Sequence, residues 1–393
     1  MTSVPFRINF YLFLMLIAVC FSTFVTESIV VVWIVNSAGL ILIFLPYFKS
    51  ANVSLLFASF TYIFFGILTF WVNLDYLSDD LKSIGTNVNI FVPPMLLYIA
   101  YSIKRKNVLD TKCILLILKF LSILGTISVA IAWIIGASDI LQVFAGMNAY
   151  QANVSGIFYS KNIYGAFIGL TMAADLYMLS DTRSIKSFIL LGIKFLAVIL
   201  SFSRAALLQA VIMIFVFYWL KNKRKARDYI ILFAGLLIAL IFVFIILLDS
   251  NLTDFFMNSV FRVEAGDAGR AMLYERAISQ LPDNIINVIL GVGFAGIDSL
   301  NMDVDNTYLY LWFTGGFPKI FFYSGAAIFS IYNILKLKKK DMVLYRICFA
   351  VYVSYFFFAF FESVAFLELG LLNFIYTFFM FFIPIGYYKK IES

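Results

Sequence analysis

The sequence predicts an all-α polytopic membrane protein that crosses the bilayer about twelve times, and three observations carry that expectation. Of 393 residues, 63% are hydrophobic and 13% charged, whereas a soluble domain holds roughly 45–50% apolar and about 25% charged residues. The surplus apolar surface has no globular interior large enough to hide it. The apolar residues also gather into runs close to the roughly 20 residues that a membrane-crossing helix needs. Lysine and arginine then collect between runs, in alternate connections. No soluble domain is expected, and residues 1–393 read as one transmembrane domain.

In chain order, the predicted spans lie near 10–26, 28–48, 53–74, 88–103, 113–135, 162–180, 187–202, 204–220, 229–248, 317–335, 342–361 and 366–387. The first apolar run, Phe10 to Val25, lacks a small-residue cleavage site and reads as a retained span. The stretch around Arg204 is too long for one crossing, so it divides into two. Basic clusters at Lys104-Arg105-Lys106, Lys221 to Arg227, Lys336 to Lys340 and Lys389-Lys390 all fall on the side of Arg7 and Lys49. Positive charge is retained in the cytoplasm, which places both termini there. The net charge of +7 is thus mainly a topology signal and requires no nucleic-acid partner.

The opposite side carries the long connections. Between the ninth and tenth spans, residues 249–305 hold nine carboxylates, three arginines (Arg262, Arg270, Arg276) and no lysine. Loops above about 12–15 residues are usually functional or disordered. The apolar periodicity from Met272 to Ile278 predicts short helices lying over the membrane. Gly136 to Lys161 is the next longest external connection, and the two together are expected to roof a cavity on the outer face.

Composition removes several chemistries. The chain has no histidine, which excludes Ser-His-Asp hydrolysis, His-ligated zinc and a histidine proton relay. Cys20, Cys113 and Cys348 lie far apart in apolar runs and read as core residues. No metal site and no cofactor is expected. Gly291-Val292-Gly293-Phe294-Ala295-Gly296 fits the G-x-G-x-x-G pattern, but that pattern binds dinucleotides only within a βαβ unit. In an external loop of a helical protein it is a decoy.

A few polar residues break the local rules. Arg204, in Ser201-Phe202-Ser203-Arg204, faces outward against the positive-inside bias. Its plainer reading is a snorkelling helix-end arginine. Arg270 follows Gly266, Asp267 and Gly269 in the long loop, where a solvated charge is the plain alternative. Asp305-Asn306-Thr307-Tyr308-Leu309 precedes Gly315-Gly316-Phe317-Pro318. Either Asp or Asn there suits a helix N-cap, and the Gly-Gly-Phe-Pro group should break the helix. Asp305 to Phe313 is then a short separate helix whose N-terminus suits an anion. Lys161, in Tyr159-Ser160-Lys161-Asn162, is one of few external lysines. Lys119, Asp175 and Lys194 lie within spans.

These segments resemble, in order, the motifs of the O-antigen ligase/polymerase superfamily, which comprises Wzy-type polysaccharide polymerases and WaaL-type ligases. Gly156-Ile157-Phe158 through Lys161-Asn162 resembles its entry to a central helix, and Ser201-Phe202-Ser203-Arg204-Ala205 its S-x-S-R-[AG] segment. Gly269-Arg270 with Tyr274, then Gly291-Val292-Gly293, resembles its external loop. Asp305-Asn306-Thr307-Tyr308-Leu309 with Gly315 resembles its H-N-x-[YF]-L … G helix. The resemblance covers the C-terminal two-thirds; the first five spans match by hydropathy alone. Asp305 stands where ligases of the family carry histidine, which weakens the ligase reading.

The resemblance implies a metal-independent, inverting membrane glycosyltransferase of GT-C-like architecture in the bacterial cytoplasmic (inner) membrane, with its site on the outer face. The implied donor is a glycan on undecaprenyl diphosphate, lengthened as O-antigen, capsule or exopolysaccharide, and the partners are a flippase and a chain-length regulator besides membrane lipid. Arg204 and Arg270 would hold the diphosphate and Asp305 would accept the proton of the attacking hydroxyl. Lys161, Asn162, Ser203, Tyr274, Asn306 and Tyr308 would bind substrate. A ligase that delivers finished glycan to another acceptor, and a flippase of lipid-linked oligosaccharide, are the alternatives.

Overall fold

The structure, a computed structural model, describes residues 53–74, 88–105, 109–145, 152–221 and 284–388, apart from short gaps in the last two stretches, with 275, 278 and 279 besides. The predicted spans 10–26, 28–48 and 229–248 lie outside the described residues. So does most of 249–283.

Among the described residues every extended element is a helix. They are α1 (Val53–Val72), α2 (Val92–Arg105), α3 (Thr111–Ile135), α4 (Ala137–Phe144), α5 (Lys161–Thr182), α6 (Ile185–Leu200), α7 (Arg204–Trp219), α8 (Ile285–Leu290), α9 (Thr307–Leu337), α10 (Met342–Phe358) and α11 (Leu371–Gly386). Three of them, within Thr111–Ile135, Lys161–Ser180 and Thr307–Leu337, are long and apolar enough to cross a membrane, and five shorter helices are apolar. The exposed faces are apolar too: Phe57, Phe60, Phe64, Ile67 and Trp71 are among the exposed large side chains of α1. Their spacing of three or four residues makes one stripe along the helix, suited to lipid and not to water.

Local sequence explains where helices begin and end. Pro93 and Pro94 sit in the first turn of α2, where no backbone N–H is needed, and the turn before it, Val88–Phe91, is 3-10. Asp110 accepts from Cys113 N–H at the start of α3 (2.8 Å). Asp341 caps α10 through Val343 and Leu344 N–H. Gly316, at φ 62°, breaks α9 into two helical segments, as the Gly-Gly-Phe-Pro group predicts.

The last two spans differ from their expected bounds. Helix α10 ends at Phe358 and α11 begins at Leu371, so the chain between is irregular although it is apolar. Thr307 explains this, because its N–H donates to Ala359 O, its hydroxyl donates to Glu362 O (2.6 Å), and the same oxygen accepts from Val364 N–H. One buried threonine satisfies backbone groups that a helix would otherwise satisfy itself. Within α11 a π-helical turn, Phe378–Phe382, coincides with Ser330 donating to Met380 O (2.7 Å).

The chain forms two compact units, residues 1–118 with 272–393, and residues 119–271. In the first, α8 and the glycines after it cross the kink of α9 backbone to backbone. A Cβ on Gly291 would lie 2.5 Å from Phe313 O, and one on Gly316 would strike Ile289 O. Val292 N–H donates to Phe313 O (2.7 Å), and Trp312 Nε1–H to Val288 O (2.9 Å). The G-x-G pair therefore serves close approach. In the second unit, Gly165 and Gly169 of α5 admit Ala206 and Ala210 of α7, a small-xxx-small contact of the kind that lets membrane helices meet closely.

Candidate functional site

In the second unit the break between α6 and α7 is a three-residue turn, Ser201 to Ser203. Ser201 Oγ donates to Val198 O (2.6 Å) and accepts from Ser203 N–H. Ser203 is the N-cap of α7, its hydroxyl accepting from Ala206 N–H (3.3 Å). Phe202 has φ 54°, a left-handed conformation that a bulky side chain adopts only under constraint. Its ring is buried with Val143, Ala152 and Val154, which come from α4 and the segment after it. The connection 136–161 thus packs against the turn.

Arg204 opens α7 half-buried, and Lys161 opens α5, its ammonium donating to Ala152 O (3.3 Å). Asn162 follows in the first turn of α5, with its N–H on Ser160 Oγ. A Cβ on Gly165 would fall 2.7 Å from Ser201 Oγ and 2.8 Å from Ala206 Cβ, so the first turns of α5 and α7 lie side by side. Two helix N-termini, one lysine and one arginine share this end of the unit. Positive helix ends and the two basic side chains favour an anion there.

Among the described residues, two further groups beneath this end find no hydrogen-bond partner. Tyr164 Oη and both amide atoms of Gln209 are buried and unsatisfied. The charges noted within spans are accounted for differently. Lys194 and Asp175, both fully buried, pair at 2.6 Å, Ser122 Oγ donates to Asp175 (2.5 Å), and Lys194 also donates to Ser122 O. This neutral knot ties α3, α5 and α6 together.

In the first unit, Asp305 is half-buried immediately before α9. Asn306 is the N-cap, accepting from Tyr308 and Leu309 N–H through Oδ1 while its Nδ2 donates to Phe360 O. Tyr308 donates to Phe356 O (3.2 Å) and packs on Phe360. Asn306 and Tyr308 thus each hold a structural bond. Arg270 and Tyr274 lie outside the described residues.

Sequence reading missed a polar cluster on α9. Lys319 pairs with Glu368 at 2.9 Å, both side chains under a tenth exposed, and Tyr310 and Tyr323 donate to the same carboxylate. Leu367, at φ 60°, directly precedes Glu368. A charged residue in each of two apolar spans was the available signal.

Helical among the described residues and apolar on its exposed faces, the chain is an all-α membrane protein. A protein-family model described as O-antigen ligase (Wzy_C) matches residues 187–324, from the start of α6 to the middle of α9. The match supports the O-antigen ligase/polymerase superfamily, whose members are membrane glycosyltransferase-like enzymes. No curated protein and no solved structure matches the chain.

Proposed function

We propose that the chain polymerises a bacterial cell-surface polysaccharide, moving a growing glycan from undecaprenyl diphosphate onto the next lipid-linked repeat unit at the outer leaflet of the cytoplasmic membrane. The observation that carries this reading is the side-by-side packing of the first turns of α5 and α7, which open with Lys161 and Arg204. The family match across α6, α7 and the first half of α9 adds to it.

The reaction needs a nucleophile, a leaving group and a proton acceptor. A hydroxyl of the acceptor sugar attacks the anomeric carbon of the donor glycan, and the bond to the diphosphate breaks with its electron pair. Arg204 and Arg270 bind the departing oxygens through charge-assisted hydrogen bonds and stabilise the developing charge without a divalent metal. Asp305 takes the hydroxyl proton, and one displacement inverts the anomeric centre. Lys161, Asn162, Ser203, Tyr274, Asn306 and Tyr308 bind sugar or phosphate of the substrates.

Arg204→Ala and Arg270→Ala cells are expected to accumulate single repeat units on the lipid carrier. Normal polymer from both variants would refute the assignment. The ligase reading follows the description of the matched family; Asp305 in place of histidine stands against it. Transfer of finished glycan to a different acceptor, without lengthening on the carrier, would favour the ligase. Movement of lipid-linked sugar without any transfer would favour a flippase.

A further inference from the structure

The turn between α6 and α7 closes its own hydrogen bonds. Ser201 N–H donates to Ala197 O (2.9 Å) and Phe202 N–H to Ile199 O (3.0 Å), while Ser203 N–H donates to Ser201 Oγ (3.3 Å). Among the described residues, the polar bonds of these three residues therefore stay within α6, the turn and α7. The Phe202 ring is what ties the turn to the connection 136–161. It is 4% exposed and buried with Val143, Ala152 and Val154, against which Ile140 and Leu200 also pack.

Residue 202 is also where the chain changes direction. Its φ of 54° lies in a region that glycine enters freely and a bulky side chain does not. Glycine would make the same turn without strain, so phenylalanine here supplies what glycine lacks, a ring that fills an apolar pocket. The pocket pins residue 202 just where α7 begins, with Ser203 extended as the N-cap and Arg204 the first helical residue. Without the ring, an L-residue at 202 relaxes toward negative φ, and the direction in which Arg204 leaves the turn changes with it.

We infer that Phe202 is a positioning residue: its buried ring holds the strained turn, and with it Arg204, in place for an anion at the first turns of α5 and α7. The identity of that anion as a diphosphate rests on the glycan-transfer reading. Phe202 itself, sealed in its pocket, acts only through the arginine.

The probe is inorganic diphosphate, titrated calorimetrically into full-length protein in lipid nanodiscs. Wild type should bind it, and Phe202→Ala should bind at least about tenfold more weakly. Phe202→Gly should weaken binding as well, because a free turn does not fix Arg204. Phe202→Leu, which refills much of the pocket, should bind closer to wild type than either. In an Arg204→Ala background, Phe202→Ala should cost much less, since the residue it acts through is gone; general damage to the fold would cost the same in both backgrounds. If Phe202→Ala yields no monodisperse protein, Val154→Ala loosens the same pocket, leaves the turn's sequence intact and carries the same comparison. Wild-type affinity in Phe202→Ala and Phe202→Gly, or the full loss repeated without Arg204, overturns the positioning role. Transfer assays on the same samples keep the two readings apart. Diphosphate binding that depends on Phe202 as expected, with no lengthening by wild type, leaves the positioning role and removes the polymerase. Lengthening by wild type with an unchanged kcat in Phe202→Ala does the reverse.

Discussion

Gln209 is fully buried on α7, and among the described residues neither its oxygen nor its nitrogen finds a hydrogen bond. An unsatisfied buried polar group costs roughly 1–3 kcal/mol. Gln209→Leu should therefore stabilise the protein, read as a higher melting temperature in nanodiscs; a lower one would mean that the amide has a partner. The Lys319–Glu368 pair behaves oppositely. Glu368→Ala strands a buried ammonium and should cost about 3–5 kcal/mol, read as loss of monodisperse protein. Adding Lys319→Met should restore much of it, and no rescue would contradict the pairing. Arg204 stands out in the sequence because, on the predicted topology, it opposes the charge bias of the basic clusters, and the structure places it at the start of α7. The charges of Lys319 and Glu368 within apolar spans were visible too, but their pairing was not, since only tertiary packing brings α9 and the segment before α11 together. Asn306 was read as a substrate ligand and also as a cap, and its oxygen caps α9.

At the scale of elements, apolar run length places α1, α3, α5, α6 and α7 within a few residues, because lipid thickness sets a length that composition reveals. The division of the Arg204 stretch into α6 and α7 was legible from charge parity, and the α9 kink from Gly-Gly-Phe-Pro. The irregular chain after α10 was not, since apolar residues continue through it while Thr307 takes over its backbone hydrogen bonds. The decoy glycine pattern had a packing role that no linear reading shows. Gly316→Ala should undock α8 and its loop, because the new Cβ strikes the Ile289 and Leu290 backbone at a φ that disfavours any side chain. Greater protease cleavage between α8 and α9 would report it. Gly192→Ala is the matched control: nothing lies within 4 Å of its added Cβ, and a helical Gly→Ala change gains up to about 1 kcal/mol. Equal protease resistance in both variants would contradict the backbone crossing.

For the whole molecule, charge parity gives one sidedness that thiol labelling can check, with Cys113 and Cys348 buried. In a background with Cys20 replaced, Ile157→Cys in the external connection should react with a membrane-impermeant maleimide on intact cells. Lys339→Cys, in the turn after α9, should react only after permeabilisation. The reverse pattern would invert the topology and move the Arg204 turn to the cytoplasm. Composition and hydropathy made the membrane class legible, and the motif order made the superfamily legible; sugar identity is written in no local pattern, because it depends on side chains converging from distant segments. The most direct test uses purified protein with its own cell's lipid-linked oligosaccharides and reads product length on a gel. Wild type should build a ladder without added divalent metal, and Arg204→Ala should leave the single repeat unit untouched. A ladder of wild-type length from Arg204→Ala would contradict the central claim that this guanidinium holds the leaving diphosphate.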